Sequence, residues 1–376
     1  MKSQYIFKKK TWFYLARCLD ALGYLFRKPK QSERLSAKKI LVVRLDQMGD
    51  IIQTLPFIES LKSSFPDAEI HALTTSVGEE LLSHQNLAST FVWDSPWFDA
   101  GRKTSIRKSK VYEWIRSHQF DCAFELRGDI RLIWLLRRSG VKSLVGYGVT
   151  GGGFLLDVEA PWKRTDHAIN KNLTLLEAIG GKIAQTVPVL RAFQELKEHE
   201  RGKNPRLRLA VHPDAGTPAK RWPITRFKDL MKTLAQQRPV EFILIGQNAA
   251  MGEELEKNFT GPTKNMMGRT TIKELIGVLA QCDGLITNDS GPAHVMAALE
   301  KPVFILWSGT ADPSLWAPRG KNIFILSHSV PCSPCSLAQC PVPGHPCLDE
   351  ISAEQVSSVI TRSVTSSGRF VLKESS

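Results

Sequence analysis

Three loops of this 376-residue chain carry side chains suited to chemistry on hydroxyls and anions. The first is RLDQMGDIIQTLP (44–56), where a β-branched run gives way to apolar residues at helical spacing. Asp50 falls at that turn, and a carboxylate there can take a proton from an attacking hydroxyl. Asp46 competes for the role, and Asp50 also suits a plain charge complement to a helix N-terminus. The second loop, HPDAGTPAKRWP (212–223), joins turn-forming residues to Thr217, Lys220 and Arg221. A hydroxyl and an ammonium suit a phosphate, and the segment also suits a solvated loop. The third is ITNDSGPAHVMAALEKPVFILW (286–307), a strand ending at Asn288 and a helix opening near Pro292. The turn Asp289, Ser290, Gly291, with His294 close by, presents first-turn amides and a helix dipole to whatever lies above, which suits a diphosphate. Asp289 or Ser290 also suits an ordinary helix cap. Two such loops in one half favour a nucleotide-diphosphate ligand.

Four of the seven cysteines cluster as Cys332, Cys335, Cys340 and Cys347, spaced C-x2-C-x4-C-x6-C. Four thiolates suit a tetrahedral soft metal, zinc or iron, in a closed structural site. His345 is a substitute ligand, and disulfides or free thiols are the alternatives. Cys18, Cys122 and Cys282 sit among apolar residues and read as packing.

The elements that must hold these loops alternate along the chain. KKILVVRLD (38–46) predicts a strand, Ile51 to Phe65 a helix closed by Pro66, and EIHALTT (69–75) a second strand. FVW, a helix around 105–118, CAFEL and RLIWLLRRS continue the pattern. The stretch GYGVTGGGF (146–154) formally matches G-x-G-x-x-G, but no helical pattern opens behind it, so it reads as a flexible loop rather than a dinucleotide site. Polarity peaks at 195–206, a linker, after which strands and helices alternate again. The class is α/β, with two Rossmann-like doubly wound domains facing an interdomain cleft. The expected organisation is an arm at 1–36, a domain at 37–195 and a second at 206–376.

The chain has a net charge of +13, which raises nucleic acid, an anionic membrane surface or an anionic substrate as partners. The charge is uneven: residues 1–35 hold six lysines and three arginines against Asp20 and Glu33, more than half of the excess. The body is mildly basic, which argues against a nucleic-acid surface. Within the arm, Trp12, Phe13, Leu15, Leu19, Leu22 and Phe26 form an apolar helical face flanked by cations. That suits the interface of an anionic membrane, or packing on the protein's own body. No run of 18 apolar residues spans a bilayer, and no small-residue cleavage site follows the arm.

These segments together resemble the ADP-heptose:lipopolysaccharide heptosyltransferase family, glycosyltransferase family 9. The resemblance rests on LVVRLDQMGDIIQTLP, ELRGDIR (125–131), DHAINKNLTLLEAIG (166–180), HPDAGTPAKRWP, NDSGPAHVMAALEKPVFILWSGTADPSLWAP (288–318) and the cysteine-rich ending, over about residues 38–362. It implies a GT-B fold, acceptor in the first domain and nucleotide sugar in the second, and inverting transfer without a catalytic metal. By position it implies Asp50 as general base and Lys220, with Thr217 beside it, at the donor phosphates. It also implies Asp289, Ser290, Gly291, Pro292 and His294 around diphosphate and sugar, and Met267 against the nucleoside. Arg44, Arg127 and Arg131, from strand ends of the first half, suit a phosphate-bearing acceptor, or surface ion pairs. Two departures are visible: Ser308-Gly309-Thr310-Ala311-Asp312-Pro313 carries one residue more than the usual G-x-T-x-P, and the basic arm precedes the usual core.

The expected function is heptose transfer from ADP-heptose to a lipopolysaccharide core acceptor, peripherally at the cytoplasmic face of the inner membrane. Another nucleotide sugar or a protein acceptor is the alternative within the fold. A metal-knuckle nucleic-acid binder would use the cysteines and the arm but leave the Asp50 and Asp289 loops without a role.

Overall fold

The computed structural model describes residues 6, 10–27, 36–95, 97, 106–190 and 206–364. The expected linker at 195–206 lies almost wholly outside these residues. The chain divides into two compact units, Met1–Thr186 and Val187–Ser376.

The first unit is a six-stranded sheet, ordered β3-β2-β1-β4-β5-β6. Its strands are β1 (Lys39–Arg44), β2 (Glu69–Thr74), β3 (Ser89–Val92), β4 (Cys122–Glu125), β5 (Ser143–Gly146) and β6 (Val158–Glu159). Every pairing is parallel. The second unit repeats the plan with β7 (Leu207–His212), β8 (Val240–Leu244), β9 (Thr263–Asn265), β10 (Gly284–Asn288), β11 (Val303–Leu306) and β12 (Ile323–Leu326). Its order, β12-β11-β10-β7-β8-β9, is the same winding as the first sheet. In each unit the order reverses between the first and fourth strands, and the loops leaving those two strands diverge there to leave room for a ligand. The strands read as continuous apolar runs because helices cover both faces. Leu41, Val43, Phe120, Leu132 and Leu136 form one core, and Val211, Trp222, Phe227, Phe242 and Phe304 belong to the other.

The helix expected from Ile51 to Phe65 is two helices, α2 (Met48–Ile52) and α3 (Leu55–Ser64). Pro56 has no N–H for the carbonyl of Ile52 and disfavours helical backbone at Leu55. At the break Asn172 Nδ2 donates to the Gln53 carbonyl at 3.0 Å.

The arm holds a helix, α1 (Lys10–Phe26). One face docks on the glycine-rich loop. Asp20, 4% exposed, accepts the Gly152 N–H at 2.7 Å. Tyr24 Oη donates to Glu159 at 2.5 Å, and Arg27 pairs with Asp157 at 2.6 Å. The opposite face leaves Leu15, Leu19, Leu22, Leu25 and Phe26 exposed. The Trp12 side chain lies outside the described residues. The 146–154 segment is therefore a docking surface rather than a free flexible loop. Its glycines permit close approach: a Cβ on Gly153 would meet Tyr24 Oη at 2.2 Å, and one on Gly151 would meet Ala16 Cβ at 3.2 Å.

Candidate active site

At the first unit's reversal point, β1 and β4 lie side by side with Val43 opposite Glu125. Arg44 ends β1, buried among carboxylates. Its Nη2 donates to Asp50 Oδ1 at 3.0 Å, its Nε pairs with Asp46 Oδ2 at 3.0 Å, and its Nη1 donates to the Leu126 carbonyl at 3.2 Å. Asp46 also pairs with Arg127, which leaves β4. The two aspartates differ in their surroundings. Both Asp46 oxygens face guanidinium groups, and its side chain is 12% exposed against 27% for Asp50. Asp50 Oδ2 has no hydrogen-bond partner among the described residues. Burial, together with the neighbouring Asp46 charge, raises the Asp50 pKa above the usual carboxylate value, although Arg44 pulls it back. A carboxylate so placed is a stronger base than a free one.

Arg131 is held by Asp129, which accepts from its Nε at 3.0 Å and its Nη2 at 2.7 Å. Its guanidinium also lies 5.2 Å from the Trp97 ring centroid. Asp129 caps the helix Ile130–Arg138 by accepting the Arg131 N–H. The three expected arginines are each engaged by a carboxylate rather than bare.

Glu125 was not anticipated. It ends β4, fully buried, and accepts the backbone N–H groups of Arg127 (3.3 Å), Gly128 and Asp129 (3.1 Å). Burial and the Asp129 charge push its carboxyl up to about 8, against the pull of those amides. The sequence signal was a lone acid closing an apolar strand, which is rarely buried without a task.

In the second unit, the loops after β7 and β10 meet in the same way. Asn288 joins them: its Oδ1 accepts the Trp222 N–H at 3.0 Å and its Nδ2 donates to the Pro213 carbonyl at 2.8 Å. Lys220 Nζ bonds to Asp289, whose side chain is 10% exposed. Among the described residues the Thr217 hydroxyl is buried without a hydrogen-bond partner. Such an orphan is costly unless a ligand atom completes it. Ser290 occupies the cap position of the helix Gly291–Ala298 but makes no side-chain cap bond. Its Oγ turns instead to Thr287 Oγ1 (2.9 Å) and His212 Nδ1 (3.2 Å). Ordinary capping by Ser290 is therefore not what this turn does, and the dipole end stays available to an anion. His212, a second unanticipated member, is buried, and burial pushes its pKa down to about 4, so its ring is neutral. Pro292 and His294 lie buried in the first turn of that helix. Met267, expected against the nucleoside, is 1% exposed and belongs to the unit's apolar core, with its methyl toward Gly246.

The cysteines also differ from expectation. Among the described residues, no three of His, Cys, Asp and Glu are arranged to hold a metal ion. Cys347 is buried and Cys332 exposed, and burial together with the nearby Cys340, Cys332 and Cys335 raises the Cys347 thiol above its usual pKa. The loop is held by its backbone instead. Cys335 and Ser336 donate to the Gly309 and Thr310 carbonyls, each at 2.9 Å, and Ala338 accepts the Ala219 N–H at 3.1 Å. The cysteine loop thus buttresses the loop containing Lys220. The extra residue in 308–313 lies here, with Ser308 and Thr310 buried and bonded to each other at 2.8 Å.

Residues 109–345 match Glycosyltransferase family 9 (heptosyltransferase). Lipooligosaccharide heptosyltransferase 2 of Campylobacter jejuni is 28% identical over 161 residues, 41% of this chain and 50% of the relative. The chain thus spans about half the length of that relative. Lipopolysaccharide heptosyltransferase 3 of Escherichia coli K12 is 24% identical over 299 residues, 73% of this chain and 83% of the relative. The structure of E. coli ADP-heptose lipopolysaccharide heptosyltransferase II superposes with a TM-score of 0.69 at 19% identity, covering 86% of this chain and 98% of that one. The GT-B fold class, two Rossmann-like α/β units, follows from that likeness.

Proposed function

Because the chain belongs to glycosyltransferase family 9, the heptosyltransferase family, we propose that it transfers a heptose from ADP-heptose to a phosphate-bearing lipopolysaccharide core acceptor with inversion. The observation that carries the reading is the orphaned Thr217 hydroxyl close in sequence to Lys220, in a loop joined by Asn288 to an uncapped helix N-terminus. Hydroxyl, ammonium and dipole together match a diphosphate. The printed names of the relatives supply the sugar and the acceptor.

The chemistry divides between the units. Asp50 takes the acceptor hydroxyl proton while that oxygen forms its bond to the anomeric carbon. The bond from that carbon to the diphosphate oxygen breaks on the opposite face. Lys220 and the amides of the 290–294 turn stabilise the charge that appears on the departing ADP. Asp289 holds the Lys220 ammonium in place, and neutral His212 holds Ser290. Arg127 and Arg131 bind acceptor phosphate, while Arg44 tunes and orients Asp50.

Among the described residues no helix is long and apolar enough to cross a membrane. The exposed Leu15, Leu19, Leu22 and Phe26, flanked by the arm's cations, support peripheral attachment to an anionic cytoplasmic leaflet. Flotation with vesicles containing phosphatidylglycerol tests this: Leu19→Ser/Leu22→Ser abolishes co-flotation, and unchanged binding rejects the attachment. The donor reading is tested by a thermal-shift panel of nucleoside diphosphates. ADP should raise the melting temperature more than UDP or GDP, and Lys220→Ala should remove the shift. A preference for UDP would replace ADP-heptose with another nucleotide sugar.

A further inference from the structure

The arm does more than lie near a surface: its docked face reaches the back of the acceptor loop. Asp20 accepts the Gly152 N–H, and Ile6 N–H donates to the Val149 carbonyl at 3.1 Å. Between those contacts sits Thr150, whose Oγ1 accepts the Ile130 N–H at 2.9 Å and donates to the Gly128 carbonyl at 2.7 Å. Glycines let the two loops touch: a Cβ on Gly152 would come within 2.9 Å of Ile130, and one on Gly128 within 2.5 Å of Val149. The 127–131 segment is thus clamped from two sides, by the Glu125 carboxyl and by Thr150. The Thr150 side is fixed in turn by α1. Unclamped, a segment with three successive amides facing a buried acid would have alternative arrangements, and Arg127 and Arg131 would move with it.

We infer that α1 is a positioning element for the acceptor loop, and that Asp20 is the residue through which it acts. The inference rests on the proposed acceptor role of Arg127 and Arg131. The helix is about 10 Å across, so its apolar outer face and the face that fixes the acceptor loop lie back to back. Seating the outer face on a bilayer would set the height of the acceptor arginines above the lipid. The arm is therefore a working part of the acceptor site even without a membrane.

The test uses the full chain, ADP-heptose and a deacylated, phosphate-bearing core oligosaccharide, without lipid. Asp20→Ala should raise the acceptor KM about fivefold, the scale of one buried hydrogen bond, with kcat and donor KM within about twofold. Asp20→Asn, which keeps a carbonyl oxygen for Gly152, should restore most of it. Amide hydrogen exchange at Gly128–Ile130 should quicken in Asp20→Ala and not in Asp20→Asn, which separates loop positioning from general unfolding. Leu19→Ser/Leu22→Ser should leave the soluble-acceptor KM unchanged. Arg127→Ala is the control for the underlying reading. If Arg127→Ala raises acceptor KM and Asp20→Ala does not, the positioning role of α1 is overturned. If Arg127→Ala leaves acceptor KM unchanged, the acceptor assignment itself fails and the inference falls with it.

Discussion

Asp50 and Asp46 lie four residues apart and differ in what surrounds them. Asp46 is spent on two arginines, and its charge makes Asp50 harder to ionise. The consequence is a pH dependence. In the proposed mechanism Asp50 must be ionised to act as base, so turnover should be lost as pH falls through its raised pKa. Asp46→Asn removes the like charge, so the acid limb of the kcat profile should move to lower pH. An unmoved limb would show that the limb reports another group. Glu125 provides a second sign-checked case. Its folded pKa, about 8, lies above the unfolded value of about 4.5. The stability it contributes is complete below the unfolded value and is lost as pH rises towards the folded one. Wild-type melting temperature should therefore fall between about pH 5 and 8, and Glu125→Gln should flatten that fall. The sequence placed Asp50, Lys220 and Asp289 just past the strands that the structure has as β1, β7 and β10. It hid Glu125 and His212, because a buried polar side chain is recognised by its neighbours, and neighbours come from distant strands. Nor did it say that Met267 and Cys347 pack in the second unit's apolar core, which residue type alone does not reveal.

Strands and helices were largely legible because apolar runs and helical spacing are local properties. β1, β2 and β4 fall within a residue or two of the expected ranges. The break between α2 and α3 was not foreseen, although Pro56 marks it, since the apolar spacing runs through the break uninterrupted. The glycines of 146–154 carried a signal without a meaning until α1 was seen against them. At this scale the Asn288 bridge is the most testable feature. Asn288→Ala leaves the Trp222 N–H and the Pro213 carbonyl without their partner, which should cost about 2–4 kcal/mol. Urea unfolding should show that loss together with weaker ADP binding. A stability loss with unchanged ADP affinity would mean that the bridge braces the fold but not the donor loop. Gly153→Val should prise α1 from its seat, and limited trypsin digestion should then cut at Arg17 faster than in wild type. Equal cutting would show that the steric fit does not hold the helix.

Taken whole, the chain repeats one winding twice, and both candidate loop pairs flank the strand where that winding reverses. Alternation along the sequence announced the two α/β units. It did not say that β1 neighbours β4, or β7 neighbours β10, because pairing across a crossover leaves no local trace. Those two adjacencies assemble Asp50 with the Arg127 loop, and Lys220 with Asp289. The net charge of +13 resolves in the same way. Much of it belongs to an arm with one docked face and one apolar exposed face. The central claim is that Asp50 is the base for glycosyl transfer while the donor is held elsewhere. The most direct measurement is ADP release from ADP-heptose in the presence of the core acceptor, with Asp50→Asn compared to wild type. The account predicts a fall of at least about a hundredfold in kcat, with ADP affinity changed by less than about twofold. Turnover within tenfold of wild type would contradict it.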